Sequence, residues 1–157
     1  MKIGIVGSGA MGSGIAQIAA TYGHPVYVFD VNEAALVKSK NVMVKTMEKL
    51  VAKGKYSEEE SKQILLRLHF VDDMRDFFDC GLIIEAIVEN LEIKRDLFTN
   101  LEKIVSSDTV LATNTSSLSI AALGGALGNP ERFIGIHFFN PAPIMPLVEV
   151  VPSVLTI

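Results

Sequence analysis

Short apolar runs alternate along the chain with longer segments in which apolar residues recur at helical spacing. Continuous β-branched and aromatic runs at 3–6 and 26–29 flank such a segment, which predicts strand, helix and strand. Further apolar runs predict strands at 70–71, 82–85, 109–112, 133–138 and 147–151. Because helical segments lie between most of these runs, the pattern predicts an α/β protein with a doubly wound, mostly parallel sheet. Residues 1–157 are enough for one such domain.

A helical hairpin is predicted between the second and third strands, at about residues 33–68. Apolar residues recur at helical spacing over 33–53, and Gly54 ends that helix. Ser57 begins the next helix, with Glu60 three residues later as its capping-box partner. Because many mononucleotide-binding folds have only a short connection here, we interpret the hairpin as an insertion. Its lysines form either an ordinary solvated face or a surface for an anionic ligand.

The composition is that of an ordinary globular protein, with 49% hydrophobic and 20% charged residues. The formal net charge of −4 and the lack of a lysine- and arginine-rich cluster argue against nucleic acid or an acidic membrane as a partner. The first predicted strand begins almost at the start of the chain, and no apolar run has the length of a membrane span, so we expect neither a leader nor an anchor. The single Cys80 excludes an intramolecular disulfide and a cysteine-built metal site, and we expect it to be buried. These features predict a cytoplasmic protein without a metal site.

The first predicted strand is joined to the first helix by a glycine-rich turn, Gly7-Ser8-Gly9-Ala10-Met11-Gly12. Gly7 allows the tight turn, Gly9 lets the backbone approach a pyrophosphate because it lacks a Cβ, and Gly12 lets the helix pack closely on the strand. The free N–H groups at the helix start then face the phosphates. Asp30 ends the second strand 18 residues after Gly12 and can accept hydrogen bonds from the adenosine ribose hydroxyls.

These features predict a dinucleotide site formed by the six residues of the turn and by Asp30. The carboxylate would repel a 2′-phosphate, and neither Val31 nor Asn32 is an arginine that could bind one, so NAD is favoured over NADP. A glycine turn with a purely structural role is the alternative. The strand, the helix, the second strand and its terminal acid all agree with the binding interpretation.

Further polar residues follow the predicted strands at the carboxyl edge of the sheet, where open α/β sheets bind their ligands. They are Glu85, Asn114, Ser116 and His137, with Glu89 and Lys94 on the helix after the fourth strand. Helical spacing predicts that the buried side of that helix carries Ile93, Leu97, Leu101, Ile104 and Val105.

Glu149 lies 12 residues after His137 on the last predicted strand, with a proline-stiffened turn between them. Two neighbouring strands would bring the imidazole and the carboxylate together. A carboxylate fixes the tautomer of a histidine and stabilises its protonated form, while the other ring nitrogen takes a hydroxyl proton. The pair is therefore a candidate for alcohol oxidation with a nicotinamide cofactor, and a structural histidine is the alternative. Because Glu149 stands in an apolar strand, we expect it to be buried and paired.

Three further segments carry a resemblance to a known family. They read IIEAIVEN at 83–90, ATNTSSLSI at 112–120 and GIHFFNP at 135–141. Together with the glycine turn they resemble the motifs of the L-3-hydroxyacyl-CoA dehydrogenases, and within that family those of the bacterial 3-hydroxybutyryl-CoA branch. The resemblance covers the whole chain. It implies a Rossmann domain with NAD as the cofactor and an acyl-CoA as the substrate.

The resemblance also implies roles for individual residues. His137 exchanges the proton with the 3-hydroxyl group of the substrate, and Glu149 orients it. Ser116 binds the reacting oxygen, and Asn114 lies beside it near the nicotinamide. Glu89 and Lys94 match NAD contacts of the family, whereas contacts with the acyl-CoA are implied for Thr46, Lys53, Ser116 and Asn140.

The printed sequence departs from the family in length. The resemblance implies a second, all-helical domain after the last strand, which closes over the acyl-CoA and carries a catalytic asparagine, and we expect it to be absent here. We therefore expect the chain to bind NAD but to turn over slowly or not at all, since small misplacements of reacting groups cost large rate factors. Apolar surface near the last strand would be exposed, and for that reason we expect a homo-oligomer.

Two other functions stay open at this point. A non-catalytic dinucleotide-binding module, or a shortened subunit, would share the glycine turn and Asp30 but would have no use for His137 and Glu149. A dehydrogenase of free 3-hydroxy acids would need that pair but would not depend on the CoA moiety.

Overall fold

The computed structural model describes residues 1–157 and contains seven strands and five α-helices. The strands are β1 (Ile3–Val6), β2 (Val26–Phe29), β3 (Leu68–Val71), β4 (Leu82–Glu85), β5 (Val110–Thr113), β6 (Phe133–Phe138) and β7 (Val148–Pro152). The helices are α1 (Ala10–Thr21), α2 (Glu33–Ala52), α3 (Glu58–Leu66), α4 (Leu91–Ile104) and α5 (Ile120–Gly124), with 3₁₀ turns at Met74–Phe77 and Pro130–Arg132. None of the helices has the length and apolar character needed to cross a membrane.

All seven strands form one sheet in the order β3-β2-β1-β4-β5-β6-β7. Neighbouring strands are parallel except at one edge, where β7 pairs with β6 in the antiparallel direction. The chain moves outward in one direction from β1 and in the other from β4, and the crevice between these two strands is the switch point at which Rossmann sheets bind dinucleotides. The predicted doubly wound, mostly parallel Rossmann sheet is confirmed.

Each face of the sheet is covered by its own hydrophobic core. Helices α1, α2 and α3 cover one face, where Ile5, Ile15 and Met47 are buried among other apolar side chains. Helices α4 and α5 cover the other face, where Phe98 and Phe133 pack edge to face. Burial on both faces explains why the central strands appear in the sequence as continuous apolar runs.

The predicted helical hairpin is present, with the boundaries that its capping residues indicate. Asn32 caps α2 by accepting a hydrogen bond from the Ala35 N–H, and Gly54 follows the helix with a φ of 75°. Ser57 and Glu60 form the reciprocal capping box at the start of α3. The hairpin packs on α1 and extends the surface next to the glycine turn.

Three strand boundaries and the burial of one residue in α4 differ from the sequence pattern. Strand β3 begins two residues earlier than predicted, while β5 and β7 each lie one residue later. In α4 the prediction that Ile93 is buried was wrong, because Ile93 is 49% exposed and Lys94 is fully buried next to it. Apolar periodicity cannot identify a buried lysine, since that position depends on charged partners outside the helix.

Candidate functional site

The glycine turn has the shape that a bound pyrophosphate requires. Gly7 has a φ of 104°, and a Cβ on Gly12 would lie 1.8 Å from the Gly7 carbonyl oxygen, so neither position accepts a side chain without movement. A Cβ on Gly9 would meet nothing within 4 Å. Helix α1 begins at Ala10 and has no side-chain cap, which leaves its first N–H groups free. Open space beside Gly9 together with these free donors fits the pyrophosphate of a dinucleotide.

A cavity of about 550 Å³ lies beside the turn, between the ends of β1, β2 and β4. Its wall includes Gly7, Ser8, Gly9 and Asp30, and its other lining residues are mostly apolar. Such a cavity, with an acid at one end and apolar walls, suits the adenosine half of a dinucleotide. The roles of Ala10, Met11 and Gly12 at the helix start, and of the residues in this wall, stay predictions.

A second cavity, of about 320 Å³, lies at the carboxyl ends of β4, β5 and β6. The structure brings seven of the predicted catalytic, cofactor-binding and CoA-binding residues together in its wall. They are Met11, Glu89, Lys94, Asn114, Ser116, His137 and Asn140. Because Met11 belongs to the glycine turn, this cavity continues from the dinucleotide-binding edge of the sheet.

The strand register places His137 directly opposite Glu149 in the antiparallel β6–β7 pair. The His137 Nδ1 atom lies 3.2 Å from Glu149 Oε1, and the imidazole packs against the Phe139 ring at 4.5 Å between centroids. The pairing expected from the spacing is present. The expected burial of Glu149 is wrong, because its side chain is 53% exposed and all five residues of β7 are exposed on the edge of the sheet. No other strand covers that edge.

Asn114 is fixed by the strand next to it. Its Oδ1 atom accepts a hydrogen bond from the Phe138 N–H at 2.8 Å, which ties the end of β5 to the end of β6 beside His137. No hydrogen bond within the chain uses its amino group. The donor side of Asn114 is therefore available to a ligand in the cavity.

Lys94 is fully buried in the wall of the same cavity. Its ammonium lies 2.8 Å from Glu85 Oε1 and 2.7 Å from Glu89 Oε1. Glu85 is also buried and accepts hydrogen bonds from the Ile87 N–H at 2.7 Å and from the Thr113 hydroxyl at 2.6 Å. A buried charge is tolerated when it is paired and hydrogen-bonded, so Lys94 and Glu85 depend on each other. Glu85 therefore acts inside the fold, although the sequence placed it at the ligand-binding edge.

Glu89 connects this buried pair to the loop that follows β5. Its Oε2 atom accepts hydrogen bonds from the Thr115 hydroxyl at 2.6 Å and the Ser117 hydroxyl at 3.0 Å. Burial by itself would raise the pKa of Glu89, but the hydrogen bonds from Lys94, Thr115 and Ser117 outweigh it and hold the pKa below its ordinary value. Glu89 is therefore an anion at neutral pH.

Thr115 and Ser117 are site residues that the sequence did not single out. Their hydrogen bonds to Glu89 hold the loop on both sides of Ser116, which is exposed and lines the second cavity. The alternating hydroxyl residues Thr113, Thr115 and Ser117 were the available signal. Their partners lie 26 to 28 residues earlier in the chain, so the alternation alone could not reveal the contacts.

The predicted CoA-binding residues are only partly brought together. Thr46 lies in the wall of a third cavity, of about 490 Å³, between α1, α2 and the turn after β6. Asn140 lies in the walls of both this cavity and the second one. The Thr46 hydroxyl donates to the Val42 carbonyl at 2.8 Å. Lys53 is exposed at the C-terminal end of α2 and does not line this cavity.

Cys80 has a structural role, and the titratable side chains form no metal site. Cys80 is buried as predicted, and burial raises the pKa of its thiol to about 11, so it is a neutral packing residue. No group of three or more His, Cys, Asp and Glu side chains is arranged to hold a metal ion.

Comparison with known proteins gives the site its family. The family model described as 3-hydroxyacyl-CoA dehydrogenase, NAD binding domain, matches residues 2–157. A probable 3-hydroxybutyryl-CoA dehydrogenase of Deinococcus radiodurans is 50% identical over 151 residues, which cover 96% of this chain and 54% of that protein. A 3-hydroxybutyryl-CoA dehydrogenase of Mycobacterium tuberculosis is 43% identical over 156 residues, which cover 99% of this chain and 54% of that protein.

A solved structure agrees with these relatives. The crystal structure of 3-hydroxybutyryl-CoA dehydrogenase from Escherichia coli K12 matches with a TM-score of 0.98 at 41% identity, covering 100% of this chain and 33% of that one. The chain spans about half the length of the curated relatives it matches. The predicted NAD cofactor is that of the matched domain. The family model covers nearly every residue, and the chain therefore belongs to the 3-hydroxyacyl-CoA dehydrogenases, as the NAD-binding domain of that family.

Proposed function

We propose that this chain is the NAD-binding and proton-transferring part of a 3-hydroxyacyl-CoA dehydrogenase. The reaction is the reversible transfer of a hydride between NAD and C3 of a short-chain (3S)-3-hydroxyacyl-CoA such as 3-hydroxybutyryl-CoA. One observation carries the proposal: His137, whose Nδ1 atom contacts Glu149, lines the cavity of about 320 Å³ together with Asn114, Ser116 and Met11 of the glycine turn, and we call this the catalytic cavity. A binding module without chemistry has no use for that pair.

The contact with Glu149 determines what the His137 imidazole can do. When Nδ1 carries the hydrogen and donates it to the carboxylate, the lone pair of Nε2 is free to accept the proton of the C3 hydroxyl group. The negative charge of Glu149 stabilises the imidazolium that results. In the opposite direction the same Nε2 returns the proton to the carbonyl oxygen.

The remaining predicted residues bind and orient the substrate and the cofactor. The Ser116 hydroxyl donates to the reacting oxygen and so supports the charge that develops on it. Bound NAD supplies the hydride acceptor, or as NADH the donor. The cofactor is held by Asp30, Asn114, Glu89 and Lys94 together with the turn residues Gly7, Ser8, Gly9, Ala10, Met11 and Gly12.

We assign the CoA moiety to the surface between α2 and the turn after β6. Asn140 is shared by the catalytic cavity and its neighbour, which supports a continuous path for an acyl-CoA. Thr46 lies along that path. Lys53 follows Thr46 by seven residues, or about 10 Å along the helix axis, within reach of the charged end of an extended CoA.

The exposed apolar residues around β7 support a homo-oligomer. Large apolar side chains are exposed at Ile144, Leu147, Val148, Val150 and Val151, and such patches tend to be covered by association. A monodisperse monomer mass in light scattering would contradict this. The net charge of −4 supports the absence of nucleic-acid partners, and the single buried cysteine supports a cytoplasmic location.

The first experiment measures NADH oxidation with acetoacetyl-CoA beside a calorimetric NADH titration of the same sample. We expect NADH to bind and turnover to be slow, because β7 and much of Glu149 are open to water. His137→Gln should abolish the turnover and leave NADH binding unchanged. Turnover that survives this substitution would contradict the catalytic role of His137.

Two further outcomes separate the alternative functions. NADH binding without turnover, even at high enzyme concentration, would favour a non-catalytic dinucleotide-binding module. Equal activity with free acetoacetate and with acetoacetyl-CoA, together with no effect of Lys53→Ala on KM, would favour a dehydrogenase of free 3-hydroxy acids.

A further inference from the structure

The Asp30 carboxylate is held by three hydrogen bonds from its own chain. Ser8 donates two of them to Oδ2, from its backbone N–H and from its hydroxyl, each at 2.8 Å. The Asn32 N–H donates the third to Oδ1, also at 2.8 Å. Because a carboxylate offers about four acceptor positions, Oδ2 is fully used and Oδ1 keeps one position free.

Ser8 is itself held by α1, which is in turn tied to α2. It is buried, and its carbonyl accepts a hydrogen bond from the Ser13 hydroxyl of α1 at 2.9 Å. The Ser13 oxygen in turn lies 2.6 Å from the Ser39 oxygen of α2. The backbone of Ser8 therefore has a support that does not depend on Asp30.

We propose that Ser8 is a specificity-determining residue, which sets the preference for NAD over NADP by fixing the Asp30 carboxylate. This inference rests on the proposed binding of the cofactor at Asp30. The free position on Oδ1 and the lone pairs of the Ser8 hydroxyl, whose hydrogen is used on Asp30, provide two acceptors for the two hydroxyl donors of an adenosine ribose. A 2′-phosphate brings negative charge and acceptor oxygens in place of one of those donors.

The cavity of about 550 Å³ beside Asp30, here called the adenosine-side cavity, offers a 2′-phosphate no cation. None of the 14 residues that line the adenosine-side cavity is lysine or arginine. Admitting the phosphate therefore requires the carboxylate to rotate away, and the two hydrogen bonds from Ser8 oppose that rotation. Rejection of NADP thus depends on how firmly Asp30 is held as well as on its charge.

Calorimetric titrations of NADH and NADPH into matched variants test the assignment. In Ser8→Ala we expect the ratio of the NADPH Kd to the NADH Kd to fall about tenfold, the change that corresponds to one lost hydrogen bond to a charged group. Ser8→Thr retains the hydroxyl and should keep most of the ratio. Thr21→Val is the matched control, because it removes an α1 hydroxyl that donates to the Gln17 carbonyl and does not contact Asp30.

If Ser8→Ala folds and its ratio of the NADPH Kd to the NADH Kd is unchanged, the proposal is overturned. If Ser8→Ala does not fold, a ratio in Ser8→Thr that falls as far as in Asp30→Asn overturns it instead. Asp30→Asn gives the full loss of discrimination for scale. If the unaltered chain binds neither cofactor, the proposed function fails as well. If it binds NADH but does not turn over acetoacetyl-CoA, only the catalytic part of that function fails, because the ratio is measured without acyl-CoA.

Discussion

The two ends of the ligand-binding edge are built in different ways. At the glycine turn the backbone is closely packed, because a Cβ on Gly12 would lie 1.8 Å from a carbonyl oxygen. Asp30, next to the turn, is held by three hydrogen bonds. At the opposite end His137 relies on Glu149, whose strand is exposed along all five of its residues. The first end is an extension of the buried core, whereas the second is an edge of the sheet.

This difference indicates that cofactor binding and turnover depend on different parts of the molecule. The proposed cofactor end is held by hydrogen bonds and close backbone packing without a ligand, so its substitutions should change affinity or stability. The catalytic end is open, and its substitutions should change the rate with little effect on either. Variants at each end, and at the Lys94 network between them, can separate these effects.

The largest effect is expected from the buried Lys94 network. Lys94→Met leaves Glu85 as a buried charge without its cation, which should lower the free energy of unfolding by about 3–5 kcal/mol. Urea unfolding followed by circular dichroism measures this loss. The matched control is Lys103→Met, an exposed lysine of the same helix, for which a change within about 0.5 kcal/mol is expected. Equal stability of the two variants would mean that the buried pair contributes nothing.

At the cofactor end, the same added methyl group should affect stability at one glycine of the turn and NADH binding at another. Gly12→Ala forces the Cβ against the Gly7 carbonyl and should destabilise the ligand-free chain by about 1–3 kcal/mol or more. Gly9→Ala places its Cβ in open space and should leave that stability unchanged, yet weaken NADH binding where a pyrophosphate approaches. Thermal unfolding with and without NADH distinguishes the two. Unimpaired NADH binding by Gly9→Ala would place the pyrophosphate elsewhere.

At the catalytic end, Glu149→Gln should lower kcat and spare the cofactor. The amide still accepts a hydrogen bond from His137 but no longer stabilises the imidazolium. We expect a loss of about 10- to 100-fold, part of the 10²- to 10⁴-fold that a general base contributes. Steady-state rates with acetoacetyl-CoA measure this loss of kcat, and the NADH Kd is determined on the same samples. The control is Glu58→Gln on the distant α3. A loss of NADH affinity equal to the loss of rate would show that the two ends are not independent.

The smallest effect is a pH dependence of stability at Glu89. Since the folded-state pKa of Glu89 lies below its unfolded value, its contribution to stability is present above the unfolded pKa and is lost as the pH falls through the folded one. The unaltered chain should therefore exceed Glu89→Gln in stability at pH 7, by a small amount because the side chain is partly exposed, and the difference should shrink in acid. Thermal unfolding of the ligand-free variants between pH 3 and pH 7 tests this. A difference that does not change with pH would assign the effect to packing.

The geometry of the proposed cofactor end was easier to predict from the sequence than that of the proposed catalytic end, for a physical reason. Gly7, Gly9, Gly12 and Asp30 owe their places to local backbone geometry and to strand ends, which are visible in a short stretch of sequence. The helical hairpin was likewise predictable because its caps are local. The His137–Glu149 pairing needed only the spacing across one turn. The resemblance to a family supplied the roles, which spacing alone left open.

What the sequence did not reveal depends on distant partners. Lys94 takes a buried position that periodicity gave to Ile93, because Glu85 and Glu89 receive its charge. Glu149 is exposed although its neighbours in sequence are apolar, because the outer side of an edge strand has no covering layer. The contacts of Thr115 with Glu89 likewise cross more than one element. Such positions are decided by tertiary contacts that no local pattern encodes.

The register of β6 and β7 determines where insertions and deletions between His137 and Glu149 can be tolerated. His137 faces Glu149 because the two residues are partners in a ladder, with the turn between them closing outside it. Residues could be added to or removed from that turn without separating the pair, provided that the ladder is kept. A single residue inserted in either strand, between the pair and the turn, would shift the register and place the imidazole and the carboxylate on opposite faces of the sheet. The number of residues in the turn between His137 and Glu149 is therefore free to vary. The register of β6 against β7 is not.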